Sequence, residues 1–536
     1  MSISKLLKSI AFLIVLITVL LVGGVYWLAA SDRAIDYDVS TDGISIPTFD
    51  EQTIDFIPTY DKMQTLPFTA GAIIDIDNDG IEEVFFGGGI HQQDRFYRFE
   101  NNSFVDITTS TGWKKQTPDK TFSATALDLD QDGDTDLLVT RQSGVWHYDN
   151  EAGAFTGVKL DLDIDPESVP LSVGVSDLNR DGLFDLFVAG YIARKHVQGE
   201  TIFNMPYGGR SALFINKGNN QFENITEKAG LTYQHNTFLG MFIDVDQDGL
   251  EDLMVAYDTG TIKTWKNLGD LKFKDMPNPS TDSFAYPMGI GVTDLGNDGL
   301  PDFYFSNVGS TTPAGIVRGD LREDQVLNKK WFMFRNRGGF VFEDVGEEVK
   351  IADYEFSWGA IFEDFNLDGK DDLVVSENYV GFPLHNLEAL RLDGRFMVQN
   401  NQGEFAAVGK EAGVQNRLYS ITPLTADFNQ DGYPDLIHVN LLGPQKVFLS
   451  KGGNANYLKV KLPNTTQSIS ALVTVTLADG ELLRQSFVVG EGLCSDQSHI
   501  LNFGLDQQTA KSVLVQYLGH PDQFETGDFA NQILTF

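Results

Sequence analysis

One nonapeptide recurs seven times in this chain, and it restricts the fold to one built from repeats. The first copies read Asp75-Ile-Asp77-Asn-Asp79-Gly80-Ile-Glu-Glu83 and Asp128-Leu-Asp130-Gln-Asp132-Gly133-Asp-Thr-Asp136. Next come Asp177-Leu-Asn179-Arg-Asp181-Gly182-Leu-Phe-Asp185 and Asp244-Val-Asp246-Gln-Asp248-Gly249-Leu-Glu-Asp252. The last three are Asp294-Leu-Gly296-Asn-Asp298-Gly299-Leu-Pro-Asp302, Asp364-Phe-Asn366-Leu-Asp368-Gly369-Lys-Asp-Asp372 and Asp427-Phe-Asn429-Gln-Asp431-Gly432-Tyr-Pro-Asp435. Their starts lie 53, 49, 67, 50, 70 and 63 residues apart.

Positions 1, 3, 5 and 9 of each copy carry side-chain oxygens, except that Gly296 removes the third donor from the fifth copy. Hard oxygen donors select calcium or magnesium over softer metals, and many flexible oxygens suit calcium better. The glycine at position 6 allows the positive φ of a tight turn. The expected ligands are therefore the residues numbered above at positions 1, 3, 5 and 9, with up to seven calcium ions and the fifth site the weakest. The seven copies hold 28 acids against Arg180 and Lys370, so they carry −26 of the formal net charge of −37. Carboxylates this crowded repel one another unless a cation sits among them. The same acidity excludes nucleic acid as a partner, since phosphate binding needs a basic surface.

An EF-hand opens in the same way but needs a glutamate at position 12 and flanking helices. Position 12 here is Phe86, Val139, Val188, Val255, Phe305, Val375 or His438, each inside an apolar run. Another apolar run, rich in small residues, precedes each copy. The unit therefore reads strand, acidic loop, strand. Segments such as VWHYDNEAGAF and WFMFRNRGGFVFEDV add a hairpin to each unit. Four strands repeated seven times predict an all-β chain with a seven-bladed β-propeller at residues 51–453. The seventh unit lacks an outer strand, and the segment Gln52–Ile57 is expected to supply it.

These units resemble FG-GAP/VCBS repeats, the blades of the integrin α-subunit propeller, over roughly residues 60–450. Residues 454–536, expected as a small C-terminal β domain, resemble the ASPIC/UnbV domain. The matching stretches are NANYLKVKLP, SALVTVTLADG, GEGLCSDQSHILNFGLD and SVLVQY. The combination is similar to the bacterial relatives of cartilage acidic protein.

Residues 10–30 are almost wholly apolar and rise about 31 Å as a helix, enough to span a bilayer. Lys5 and Lys8 precede them, which predicts a cytoplasmic N-terminus (1–9), a signal anchor (10–30) and a linker (31–50). The expected location is a bacterial inner membrane, single-pass, with the bulk of the chain periplasmic or extracellular. A cleaved signal peptide, ending near Ala29-Ala30-Ser31, is the alternative and makes the protein secreted.

The acidic loops join the first two strands of each unit and so share one face. Three long turns belong to the other, near 190–210, 306–330 and 376–394. They hold the scarce basic residues Arg194, Lys195, Arg210, Arg318, Arg322, Lys329 and Lys330. Long loops on a rigid scaffold are where binding tends to sit, so a protein or glycan ligand is expected on that face. No catalytic constellation stands out and no cofactor motif is present. His196 and His385 lie in the long turns, and the single cysteine, Cys494, reads as a small buried residue. The leading reading is a membrane-anchored, calcium-dependent binding or adhesion module. The alternative is an exported enzyme, such as a polysaccharide lyase or other hydrolase, with its active site on the propeller face.

Overall fold

The computed structural model describes residues 3–30, 37–198, 202–203, 208–258, 260–277, 283–310, 325–378 and 391–536. The described residues are all-β apart from a helix at Ile3–Ala30 and a few single turns. Seven of its sheets repeat one plan, four antiparallel strands in meander order. The first strands are Gly71–Ile74, Thr121–Leu127, Ser168–Ser176, Thr237–Ile243, Ile290–Thr293, Ser357–Glu363 and Tyr419–Ala426. We number the sheets 1 to 7 in this order. In sheets 1 to 6 every strand follows its predecessor in the chain. In sheet 7 the fourth place is taken by Phe49–Ile54, which pairs antiparallel with Gln445–Ser450. The strand expected at Gln52–Ile57 thus starts three residues earlier, inside the stretch read as a linker. Phe49 draws it back, because its ring packs edge-on against Phe365 and Phe396.

Burial falls from the first strand to the fourth. The first strand of sheet 2 is buried throughout, whereas the fourth strand of sheet 1 is mostly exposed. The small residues foreseen next to the loops have a steric reason. A Cβ on Gly174 would stand 2.2 Å from the Gly240 carbonyl oxygen, in the first strand of the next sheet. The arrangement is propeller-like, with first strands inside and fourth strands outside. Its centre is filled by Phe68, Phe122, Phe238, Trp358, Tyr419 and Leu493 among others.

Residues 454–536 form two further sheets, one of three strands and one of four. Their core (Leu458, Val473, Val475, Phe503, Val513, Val515) is continuous with Leu127, Leu129, Val173 and Val175 of sheets 2 and 3. One segment of this domain, 490–497, enters the centre. Ser495–Asp496 adds a parallel strand to Gly71–Ala72. Gly492 bridges to Ile290. Glu491 accepts the Val292 N–H at 2.8 Å, Asp496 the Ala126 N–H at 2.7 Å and Gln497 the Thr425 N–H at 3.1 Å. One loop of the C-terminal domain thus satisfies backbone groups of sheets 1, 2, 5 and 7.

Cys494 sits in this plug, 1% exposed, and burial pushes its thiol far above the ordinary range. A thiolate is the reactive form. Ellman titration of the native protein should therefore give no reaction, and one thiol per chain should appear in denaturant. Native reactivity would place Cys494 at an accessible surface.

Of the helix Ile3–Ala30, side chains are described for Lys5 and residues 8–24. Among the described residues no helix is long and apolar enough to cross a membrane.

Candidate metal centres

All seven nonapeptides join the first and second strands of their sheets and adopt one conformation. The residue at position 4 is left-handed in every copy, from φ 48° at Asn297 to φ 67° at Gln131. The glycine at position 6 lies between φ 85° and φ 98°. These two inversions turn the chain around the first aspartate. In loop 1, Asp75 accepts the N–H groups of Asp79 and Gly80, both at 3.1 Å. Asp128, Asp177, Asp244, Asp294, Asp364 and Asp427 accept the equivalent pair at 2.7–3.2 Å. The aspartate at position 5 accepts the N–H of position 7, as Asp79 does from Ile81 at 2.8 Å.

Position 9 has a second duty that spacing alone does not reveal. Asp136 accepts the Leu129 N–H at 3.0 Å through one oxygen and the Asn150 N–H, from the third strand, at 2.8 Å through the other. Asp185, Asp252, Asp302 and Asp435 repeat both bonds. These carboxyls pin loop to sheet from within the core. Burial raises the pKa of Glu83, Asp185 and Asp302 to about 7 and that of Asp252 and Asp435 to about 8. The first-position Asp128 and Asp244 are pushed to about 6, again by burial, with neighbouring carboxylates adding to it.

Among the described residues, three or more carboxylate oxygens gather within 4.8 Å of one another in three places. These are Asp75/Asp77/Asp79, Asp244/Asp246/Asp248, and loop 2, where Asp128/Asp130/Asp136 adjoins Asp130/Asp132/Asp149. Asp149 belongs to a third strand and lies outside the nonapeptide. Loops 3, 6 and 7 carry an amide at position 3 (Asn179, Asn366, Asn429), and loop 5 carries Gly296. Asp149 Oδ1, Asp246 Oδ1 and Asp372 Oδ2 are buried without a hydrogen-bond partner. Acceptor-only oxygens left bare among like charges suit a hard divalent cation.

The loops also touch one another. The side chain at position 4 donates to the position-6 carbonyl of the next loop: Asn78 to Gly133 at 3.1 Å, Gln247 to Gly299 at 2.8 Å and Gln430 back to Gly80 at 3.5 Å. Gln131 and Arg180 reach Gly182 and Gly249 in the same way. At loop 6 the residue is Leu367, buried, whose carbonyl accepts the Asp506 N–H at 2.9 Å. The C-terminal domain thus covers the loop face here. Lys461 pairs with Asp75 at 3.0 Å and Lys459 with Asp427. The Ser470 hydroxyl accepts the Asp244 N–H at 2.7 Å.

Among the long-turn residues, Arg210 pairs with Asp165 at 3.2 Å and Lys330 with Glu347 and Asp353. Lys195 and His196 share Glu167. Arg318, Arg322 and His385 lie outside the described residues.

The FG-GAP-like repeat family matches residues 75–139, 128–188 and 244–305, and the ASPIC and UnbV family matches 461–536. Cartilage acidic protein 1 of Mus musculus is 23% identical over 326 residues, covering 56% of this chain and 47% of that protein. The Homo sapiens protein is 24% identical over 327 residues, with 56% and 46% covered. The chain spans about half the length of these relatives. The V. cholerae biofilm matrix protein Bap1 superposes with a TM-score of 0.31 and 11% identity, over 88% of this chain and 68% of that one. The chain carries FG-GAP-like repeats followed by an ASPIC and UnbV domain, an architecture it shares with cartilage acidic protein 1.

Proposed function

We propose that this protein is an exported, membrane-anchored interaction or adhesion module: a seven-bladed propeller whose loops hold structural calcium. It acts by binding, with no catalytic step. The observation that carries this is the pair of orphaned carboxylate oxygens, Asp149 Oδ1 and Asp372 Oδ2, at loops already shaped by their own backbone. Loop residues would hold the ion through positions 1, 3 and 5, with position 9 tying each site to the core. Calcium would neutralise the clustered charge there.

Two features support the rest of the reading. Ile10, Phe12 to Ile17 and Val19 to Val22 expose their apolar side chains by 42–70%, which favours a lipid environment for the N-terminal helix. The C-terminal domain sits on the loop face, so a ligand is better served by the opposite one. That face carries Arg194, Arg210 and Lys330 in a chain of net charge −37, which favours an anionic glycan.

Retention on an anionic glycan resin tests the proposal. The wild-type protein should be retained in calcium and released by a chelator. The Arg194→Ala/Arg210→Ala/Lys330→Ala triple variant should elute early with unchanged melting temperature. Equal elution of the two proteins in calcium would overturn the assignment of the face.

A further inference from the structure

Each acidic loop has a neighbour that the repeat pattern does not announce. In sheet 1 Val84 pairs with Tyr97, in sheet 2 Leu137 with Tyr148, and in sheet 4 Leu253 with Trp265. The next residue along each third strand stands beside the loop. It is Arg98 in sheet 1, Asp149 in sheet 2 and Lys266 in sheet 4. The equivalent Arg335 of sheet 5 pairs with Glu348 instead, at 3.2 Å, and the remaining sheets have apolar residues there.

The three polar cases differ in sign, and their contacts follow. The Arg98 guanidinium reaches Asp77 at 2.9 Å, Asp79 at 3.5 Å and Glu83. Lys461 pairs with Asp75, so the carboxyls at the four ligand positions of loop 1 each have a positive partner within the protein. The Lys266 ammonium reaches Asp246 and, at 2.7 Å, Asp248. In loop 2 the position holds a further carboxylate instead. Asp149 gathers with Asp130 and Asp132, and its Oδ1 is buried and unpartnered. Among the described residues no lysine or arginine pairs with the loop 2 carboxylates; His147 touches Asp136 at 3.0 Å.

We propose that this third-strand residue decides what occupies each loop. Asp149 joins the ligands of loop 2 and makes it the tightest calcium site, while Arg98 and Lys266 are resident cations that exclude calcium from loops 1 and 4. The inference rests on the calcium reading of the loops. A fixed cation costs no binding entropy and cannot be chelated. Added ligand charge, conversely, is how oxygen sites gain calcium affinity. On this account the chain mixes permanent and exchangeable counter-ions, so part of the loop face stays ordered when calcium is withdrawn.

Calcium titration calorimetry on the full chain in detergent, with thermal melts alongside, tests this. Asp149→Asn should weaken the tightest site by about tenfold or more. Asp77→Asn should leave the stoichiometry unchanged, because loop 1 takes no ion. Arg98→Gln and Lys266→Met should each add one ion per chain, and the two sites are independent should one variant fold poorly. Loss of an ion in Asp77→Asn, or an unchanged tightest site in Asp149→Asn, would overturn the inference while leaving the calcium reading intact. A wild-type protein that binds no calcium at all would overturn both.

Discussion

Chelation should lower the melting temperature of the protein by roughly 10 °C or more relative to about 10 mM calcium, with magnesium a poor substitute. Extracellular calcium modules bind at about 10⁻⁴–10⁻³ M. Each site that binds only the folded state then contributes about 1.4–2.7 kcal/mol by mass action. Even three such sites approach the whole stability of an ordinary domain, about 5–15 kcal/mol. The pH dependence gives a second, signed test. Burial raises the Asp252 and Asp435 carboxyls to about 8 and those of Asp185 and Asp302 to about 7. A carboxyl with a raised folded pKa gives stability that is complete below its unfolded value and lost as pH rises through the folded one. In chelator, therefore, stability should fall from pH 5 to pH 8. Calcium needs ionised ligands, so its binding strengthens over the same interval. The calcium-induced rise in melting temperature should widen with pH. Scanning calorimetry at pH 5, 6.5 and 8 measures it, and a rise that stays constant or shrinks would count against calcium at these loops.

The loops were legible because their chemistry is written at fixed offsets within nine residues. A turn around Asp75 or Asp427 needs no information from the rest of the chain. The order of the four meander strands in sheets 1 to 6 was equally local, since strands pair in chain order. What could not be read was register between strands. Nothing in the sequence shows that Arg98 stands over Asp77, or that Asp149 is equivalent to it one sheet later. The position-4 residues were visible as letters, but their bonds to the next loop depend on how neighbouring sheets turn. Leu367 breaks that pattern because the C-terminal domain buries it. Position 9 was read as a ligand by type, yet its two oxygens also hold backbone N–H groups across the sheet, which spacing does not encode. The stretch GEGLCSDQ looked like part of a separate domain. Its role appears only when the first strands of four sheets are found bonding to it.

Two substitutions in that stretch should move stability in opposite directions. Asp496 is fully buried and accepts the Ala126 and Gly490 N–H groups at 2.7 and 2.8 Å. Asp496→Ala leaves two buried donors unpaired, at about 1–3 kcal/mol each, for a loss of about 3–5 kcal/mol. The damage should be specific to the plug. The C-terminal core of Val473, Val475, Val513 and Val515 keeps its own packing in this variant, so a single cooperative melt should split into two. Residues 488–498 should then become the first site of limited proteolysis. Glu491→Gln should do the reverse. Burial, with Asp371 and Glu363 close by, pushes the Glu491 carboxyl up to about 8. The wild type therefore loses stability at this residue between pH 5 and pH 8, and glutamine keeps an acceptor for the Val292 N–H without the charge. The variant should match the wild type at pH 5 and exceed it by about 2–4 kcal/mol at pH 8, since one pKa unit is worth about 1.4 kcal/mol. Urea unfolding at the two pH values reads this directly. A segment lying loosely on the surface would give neither effect, because water would take the place of every bond lost and screen the charge. Opposite signs from residues five apart require a buried segment that meets one first strand with a well-paired carboxylate and another with a poorly tolerated one.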